Sequence, residues 1–151
     1  MAEYTHIVQP FEPVYDENSE ILILGSLPSV KSRENGFYYG HSQNRFWKVL
    51  SAVTKSAEPQ DTASKKQMLL THHIALWDVI KECDIVGSSD SSIKNVVAAD
   101  LTEIIRKTQI RRIYVNGRAA EKYYKKYIES EIHMKAVVLP STSPANAAFS
   151  L

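Results

Sequence analysis

Cysteine is nearly absent from this chain, and so is net charge. Cys83 stands alone among 151 residues, which excludes an internal disulfide, a cysteine-based zinc site and an iron–sulfur cluster. Lysine and arginine total 18 against 17 aspartates and glutamates, a formal net charge of +1. A diffuse nucleic-acid footprint would need a more basic chain, so any such surface must be local. Lys31, Arg33, Arg45 and Lys48 make one candidate cluster, and Lys107, Arg111 and Arg112 a second; a solvated face explains either as well. No apolar run approaches the roughly 18 residues that a membrane span needs. The opening "MAEYTHIVQPFEPV" lacks the basic-then-apolar order of a secretory signal. We therefore expect an intracellular, cytoplasmic protein with no membrane partner. Repeats and low-complexity tracts are missing too.

What is present fits one domain spanning 1–151, with 1–19 as an N-terminal extension. Apolar content of 44% and charged content of 23% are those of a globular fold with a real core. "EILILGSLPS" predicts a buried strand over Ile21 to Leu24 that breaks at Gly25, since four apolar residues in a row suit a central parallel strand. "NRFWKVLSAV" predicts a helix, with Phe46, Trp47, Leu50 and Val53 on one face. Polar residues 54–62 make a connection, "SKKQMLLTHH" a helix, and Ile74 to Val79 a second strand. Residues 87–92 make a loop. "ADLTEIIRKT" predicts a helix opened by a capping box of Asp100 and Glu103. "RRIYVNG", "RAAEKYYKKYI" and "KAVVLPSTSP" follow as strand, helix and strand. The alternation predicts a three-layer α/β/α domain around a parallel sheet. Ligands of such sheets sit beyond the carboxyl ends of the strands. The residues there are "GSLPS", Asp78, Asn116–Gly117 and "PSTSPAN", which makes them the candidate site.

The densest signal is "GFYYGHSQNRFWKV", residues 36–49. Phe37, Tyr38 and Tyr39 admit three readings: core, a protein-binding patch, or a ring on which a base stacks. Gly36 and Gly40 permit sharp bends between them. Asn44 suits a helix cap or an amide that holds a water. Such an amide orients a water without deprotonating it, which suffices for a dissociative reaction. His41 is a loop or capping histidine, with a catalytic role as the other reading. In "GSLPS", Ser26 and Ser29 are candidate nucleophiles, but no G-x-S-x-G elbow, P-loop or dinucleotide fingerprint surrounds them; a tight strand exit is the simpler reading. His72 and His73 are adjacent within a predicted helix and point apart, so no metal site is expected. Asp78 ends an apolar strand, where a carboxylate needs a partner; it caps the next segment or reads a ligand N–H. "LPSTSPANAAF" is a surface turn or a set of phosphate contacts.

Together, "GSLPSVKSRENGFYYGHSQNRFWKVL", "ALWDVI" and "LPSTSPANAAFS" resemble the uracil-DNA glycosylase superfamily, and within it the hypoxanthine-DNA (DNA-deoxyinosine) glycosylase group. The resemblance runs from about Ile21 to the C-terminus. It implies a four-stranded parallel sheet between helices and, beyond "AAFSL", a C-terminal helix. It implies a base pocket floored by Gly25, Ser26 and Pro28; around the base we expect Leu27, Phe37, Tyr38, Tyr39, His41 and Asp78, with Phe37 or Tyr39 as the stacking ring. Pro140, Ser141, Thr142, Ser143, Pro144 and Asn146 would meet the DNA strand, and we expect Arg45 beside them. Mismatch-specific relatives carry Asn where this chain has Ser26, so Asn44 becomes the candidate water-holding amide, with Ser26 beside it. Ser and Thr replace a histidine that many uracil enzymes use on the leaving base, which argues against strong activity on uracil.

The implied activity is that of a monofunctional glycosylase. It would extrude a deaminated base, hypoxanthine or uracil, from damaged DNA and hydrolyse its N-glycosidic bond. No cofactor is implied, and a monomer is expected. The competing classes are a DNA- or nucleotide-binding module of the same fold without activity, a hydrolase of free nucleosides, and a scaffold of other function.

Overall fold

The computed structural model describes residues 3–28, 30–40, 44–87 and 89–142. Four parallel strands, β2 (Ile21–Gly25), β3 (Ile74–Asp78), β6 (Arg112–Asn116) and β7 (Ala136–Leu139), form the central sheet in the order β3-β2-β6-β7. Helices cover both faces: α2 (Phe46–Thr54) and α3 (Thr62–Thr71) on one, α4 (Thr102–Lys107), α5 (Arg118–Tyr127) and the short α6 (Glu129–Ile132) on the other. The expected three-layer α/β/α architecture with four parallel strands is the observed one.

The alternation of β2 explains the layers. Successive strand side chains point to opposite faces. Leu22 and Leu24 pack with Ile113, Val115, Ile104 and Tyr124, while Ile23 packs with Phe46, Trp47, Leu50, Met68 and Leu69. A strand buried on both faces has no solvent side for a polar residue, hence the run "ILIL". Burying one such Leu or Ile contributes about 1.5–3 kcal/mol.

Three strands were not expected. β1 (Thr5–Val8), β4 (Ile80–Ile85) and β5 (Lys94–Ala98) form a separate antiparallel sheet in the order β1-β4-β5. β4 starts two residues after β3, and its Ile80, Cys83 and Ile85 join the α4–α5 side of the core. Residues 1–19 thus include a strand, and Val14 bridges to Leu76 beyond it. A short helix, α1 (Val30–Asn35), occupies part of the loop predicted after β2.

Two local expectations need correction. Asp100 and Glu103 form no capping box: Asp100 Oδ1 accepts from the N–H and hydroxyl of Thr102, and Glu103 pairs with Lys107. The reciprocal box is at Asp61 and Ser64, opening α3. His72 and His73 lie just past α3 rather than in it, His72 at the C-cap and His73 at φ +60°. Lying side by side past the helix end, they present no i,i+4 ligand geometry. Among the described residues no helix is long and apolar enough to cross a membrane, and no group of three His, Cys, Asp or Glu side chains is placed to hold a metal.

Candidate active site

The carboxyl ends of β2, β3, β6 and β7 open into one cleft of about 740 Å³. Its floor is Gly25, Ser26, Leu27 and Pro28 after β2, with Asp78 at the end of β3. Tyr38, Tyr39 and Asn44 enter from the segment before α2; Asn116 and Gly117 come from the end of β6, and Pro140, Ser141 and Thr142 follow β7.

Asp78 is 3% exposed. Burial pushes its carboxyl up to about 7 from an ordinary 3.8, while a hydrogen bond from Gln9 and the Gly25 backbone pull the other way. Gln9 Nε2 donates to Asp78 Oδ2 at 2.7 Å. The other oxygen faces Gly25: a Cβ added there would sit 2.6 Å from Asp78 Oδ1 and 2.8 Å from Tyr39 Oη. Glycine is required at this position by close approach, which leaves a notch where two oxygens converge.

Among the described residues Tyr39 Oη is buried and makes no close hydrogen bond, with the Asn116 side chain as its nearest, longer-range donor. Burial, then the neighbouring Asp78, push its pKa above the usual phenol range, with Asn116 acting in the opposite sense. It therefore keeps its proton and remains a donor. An unpartnered buried hydroxyl costs about 1–3 kcal/mol, a penalty that a ligand acceptor would remove. The ring itself is stacked on Phe46, centroids 4.1 Å apart.

Asn44 lines the cleft one residue before Arg45, which is the N-cap of α2. Asn44 Oδ1 accepts from the Phe46 N–H at 2.9 Å, an Asx turn that starts α2. That bond fixes the amide, so Nδ2 is the end left over. The next residue, Arg45, ties this corner to the last motif: its N–H donates to Thr142 O at 3.1 Å and its guanidinium to Ser141 O at 3.4 Å. Asn116 clamps the same turn from β6, donating to Thr142 Oγ1 at 3.0 Å and accepting from the Thr142 N–H at 3.1 Å. Gly117, at φ +96°, lets Ser141 pack against its backbone.

The structure brings together at this cleft Gly25, Ser26, Leu27, Pro28, Tyr38, Tyr39, Asn44, Asp78, Ser141 and Thr142. Arg45 stands just behind it. Phe37, expected at the base, is not in the lining. It packs among Phe11, Tyr38 and Trp47, stacked on Trp47 at 6.1 Å. Tyr38 lines the wall but is 1% exposed, its hydroxyl bonded to Glu12 O at 2.9 Å. Phe11 and Phe37 pack against its ring, tilted and edge-on, at 5.1 and 5.3 Å. His41, Ser143, Pro144 and Asn146, with Ser29, lie outside the described residues. Asn116 lines the cleft from the strand end where the sequence put it, and Gln9 was missing from the expected set. Asn116 had a signal, a polar residue ending a strand. Gln9 had none, since it follows an edge strand that the pattern did not reveal.

Comparison with known proteins accords with this geometry. The family model for the uracil DNA glycosylase superfamily matches residues 12–150. A hypoxanthine DNA glycosylase of Methanosarcina acetivorans is 38% identical over 148 residues, 95% of this chain and 91% of that protein. Another from Methanosarcina barkeri is 42% identical over 88 residues, 58% of this chain and 56% of that protein. A solution NMR structure of a uracil DNA glycosylase candidate from Methanosarcina acetivorans superposes with a TM-score of 0.82 at 35% identity, covering 96% of this chain and 91% of the other. The chain belongs to the uracil DNA glycosylase superfamily.

Proposed function

We propose that this protein is a DNA glycosylase that hydrolyses the N-glycosidic bond of a deaminated base, hypoxanthine foremost, after drawing it out of the helix. One observation carries the reading: an acceptor and a donor stand side by side at the notch over Gly25. Asp78 Oδ1 accepts when ionised, and Tyr39 Oη donates. A lactam edge, N–H beside C=O, complements that pair. Deamination creates this edge: hypoxanthine has N1–H beside O6, where adenine has a bare N1 beside an amino group. Uracil bears the same relation to cytosine. The parent base thus meets like groups at both positions, and such mismatches in a desolvated site are strongly rejected. Guanine and thymine share the edge but carry a 2-amino or 5-methyl group. When correctly paired they also cost more to extrude.

The remaining groups fit the bond-breaking step. The glycosidic bond stretches first, leaving an oxocarbenium-like sugar and a base that departs with the bonding electrons. Backbone N–H groups at Ser26 and Leu27 face that departing charge. Asn44, its Oδ1 engaged in the Asx turn, holds a water by Nδ2. The water oxygen adds to C1′, one proton goes to the departing base or to solvent, and the products are a free base and an abasic site. Among the described residues no lysine lines the cleft, which favours hydrolysis over a Schiff-base route. Ser141 and Thr142, held by Arg45 and Asn116, present the strand-contacting turn. We place the enzyme inside the cell, acting as a monomer on damaged DNA.

The test is a panel of duplexes, each with a single hypoxanthine, xanthine, uracil, adenine or guanine, incubated with protein and then with alkali. Strand breaks at hypoxanthine are expected, weaker ones at uracil, and none at adenine or guanine. Duplex binding without breaks would identify an inactive binding module instead. Release of base from free deoxyinosine alone would identify a nucleoside hydrolase.

A further inference from the structure

Gln9 lies outside every motif, yet its side chain sits at the centre of the buried polar network. Its backbone N–H is anchored to Lys81 O at 2.8 Å, which fixes the residue just past β1. Its Oε1 accepts from the Phe11 N–H. A backbone N–H can only donate, so the amide orientation is set: Nε2 must face the other way. There it donates to Asp78 Oδ2 at 2.7 Å and reaches Tyr38 Oη at 3.3 Å. Tyr38 in turn donates to Glu12 O. Every proton in the chain Phe11–Gln9–Tyr38–Glu12 therefore has one direction, and the donor aimed at Asp78 cannot be reversed without breaking a neighbour's bond.

We infer that Gln9 is a positioning residue for base selectivity, holding the buried Asp78 carboxylate as a hydrogen-bond acceptor so that a base edge bearing N–H is kept and one with a bare ring nitrogen is refused. The inference rests on the proposed role of Asp78 at the base. Burial alone favours the neutral acid, whose O–H would donate into the cleft and welcome the bare N1 of adenine. Gln9 opposes this, since a donor at 2.7 Å stabilises the ionised form. The groups facing Asp78 are Gln9 from the segment after β1, Gly25 from β2, and the titratable Tyr38 and Tyr39 from the segment before α2. Both tyrosines are pushed up by burial and stay neutral. Gln9 is thus the side-chain donor that opposes the effect of burial on Asp78.

Two variants test this. Gln9→Met removes the donor at similar size. Gln9→Glu keeps an oxygen for Phe11 N–H but turns a carboxyl toward Asp78. The aspartate carboxyl titration, followed by carbon NMR on the full chain, should move up by on the order of one pH unit in Gln9→Met and further in Gln9→Glu. Single-turnover cleavage of a deoxyinosine duplex should fall roughly tenfold near neutral pH and recover toward alkaline pH, because its acid limb moves with the carboxyl. The rate ratio between hypoxanthine and unsubstituted purine, which has a bare N1, should narrow by a similar factor. A merely structural role would lower the rate equally at every pH and leave the ratio alone. An unmoved titration, or a pH-independent loss, overturns the inference. If the unaltered chain cleaves no duplex, the glycosylase reading fails and selectivity with it, while the carboxyl titration still decides whether Gln9 governs Asp78.

Discussion

The two ends of the parallel sheet treat polar groups in opposite ways. At the amino end no buried side-chain polar group of the described residues is left without a partner. Glu20 meets Arg111 at 3.1 Å with both side chains solvated, and the Glu20, Gln109 and Arg111 N–H groups all find carbonyls. The hollow there, about 430 Å³, is lined by Asn18, Glu20, His73, Gln109 and Arg111. At the carboxyl end a carboxylate is buried, a buried phenol makes no close hydrogen bond among the described residues, and a glycine is squeezed between them. Groups of the first kind hold the chain together at little cost. Groups of the second kind cost free energy until something enters the cleft, and that cost marks where the chemistry is.

Substitutions at the two ends should separate accordingly. The largest effect is expected at Asn44. Asn44→Ala should lower single-turnover cleavage of a deoxyinosine duplex by about 10²-fold or more, while the lost Asx-turn hydrogen bond costs about 1 kcal/mol in denaturant melts. Unchanged cleavage would reduce Asn44 to a turn residue. Gly25→Ala comes next, because its Cβ would press on Asp78 Oδ1 and Tyr39 Oη. Cleavage should drop by roughly tenfold or more, with about 1–3 kcal/mol of stability lost to overpacking. Wild-type activity would mean that the notch is empty of function.

A third effect is on stability against pH. The folded Asp78 titrates near 7 and the unfolded one near 3.8. Between those values the folded chain binds the extra proton, so stability is fullest below the lower value and is lost as pH rises through the upper one. Asp78→Asn should flatten that slope in melts run across the window; a slope kept by the variant would assign it elsewhere. The smallest effect belongs to the amino end. Arg111→Gln should change stability by less than about 1 kcal/mol and leave cleavage untouched. A large loss of activity there would erase the contrast between the two ends.

The parallel sheet was legible because each of its strands is a short apolar run ended by a small or polar residue, and the helices between them keep one apolar face. The antiparallel sheet was not. β1 buries only part of Ile7, and β4 meets β5 through register shifts on either side of Glu82. Asn95 in β5 has φ +56°. Bulges break the two-residue alternation by which a strand is recognised. The site divided along the same line. Asp78, Tyr39, Asn44 and the turn at Ser141 follow elements with strong patterns, so their places were foreseen. Phe37 and Tyr39 are neighbours of similar composition, and only packing decides that one goes to Trp47 and the other to the cleft. Gln9 depended on the hidden sheet and stayed hidden with it.

The central claim is that Asp78 receives the N–H edge of an extruded base. The most direct test is the single-turnover rate of deoxyinosine cleavage by Asp78→Asn, measured on protein verified as folded. Asparagine fits the space, but it cannot be an anion and is free to present its amide N–H to the base. The account predicts a loss of about 10²-fold, the scale of a lost charged contact in a closed site. A rate equal to that of the unaltered chain would contradict it.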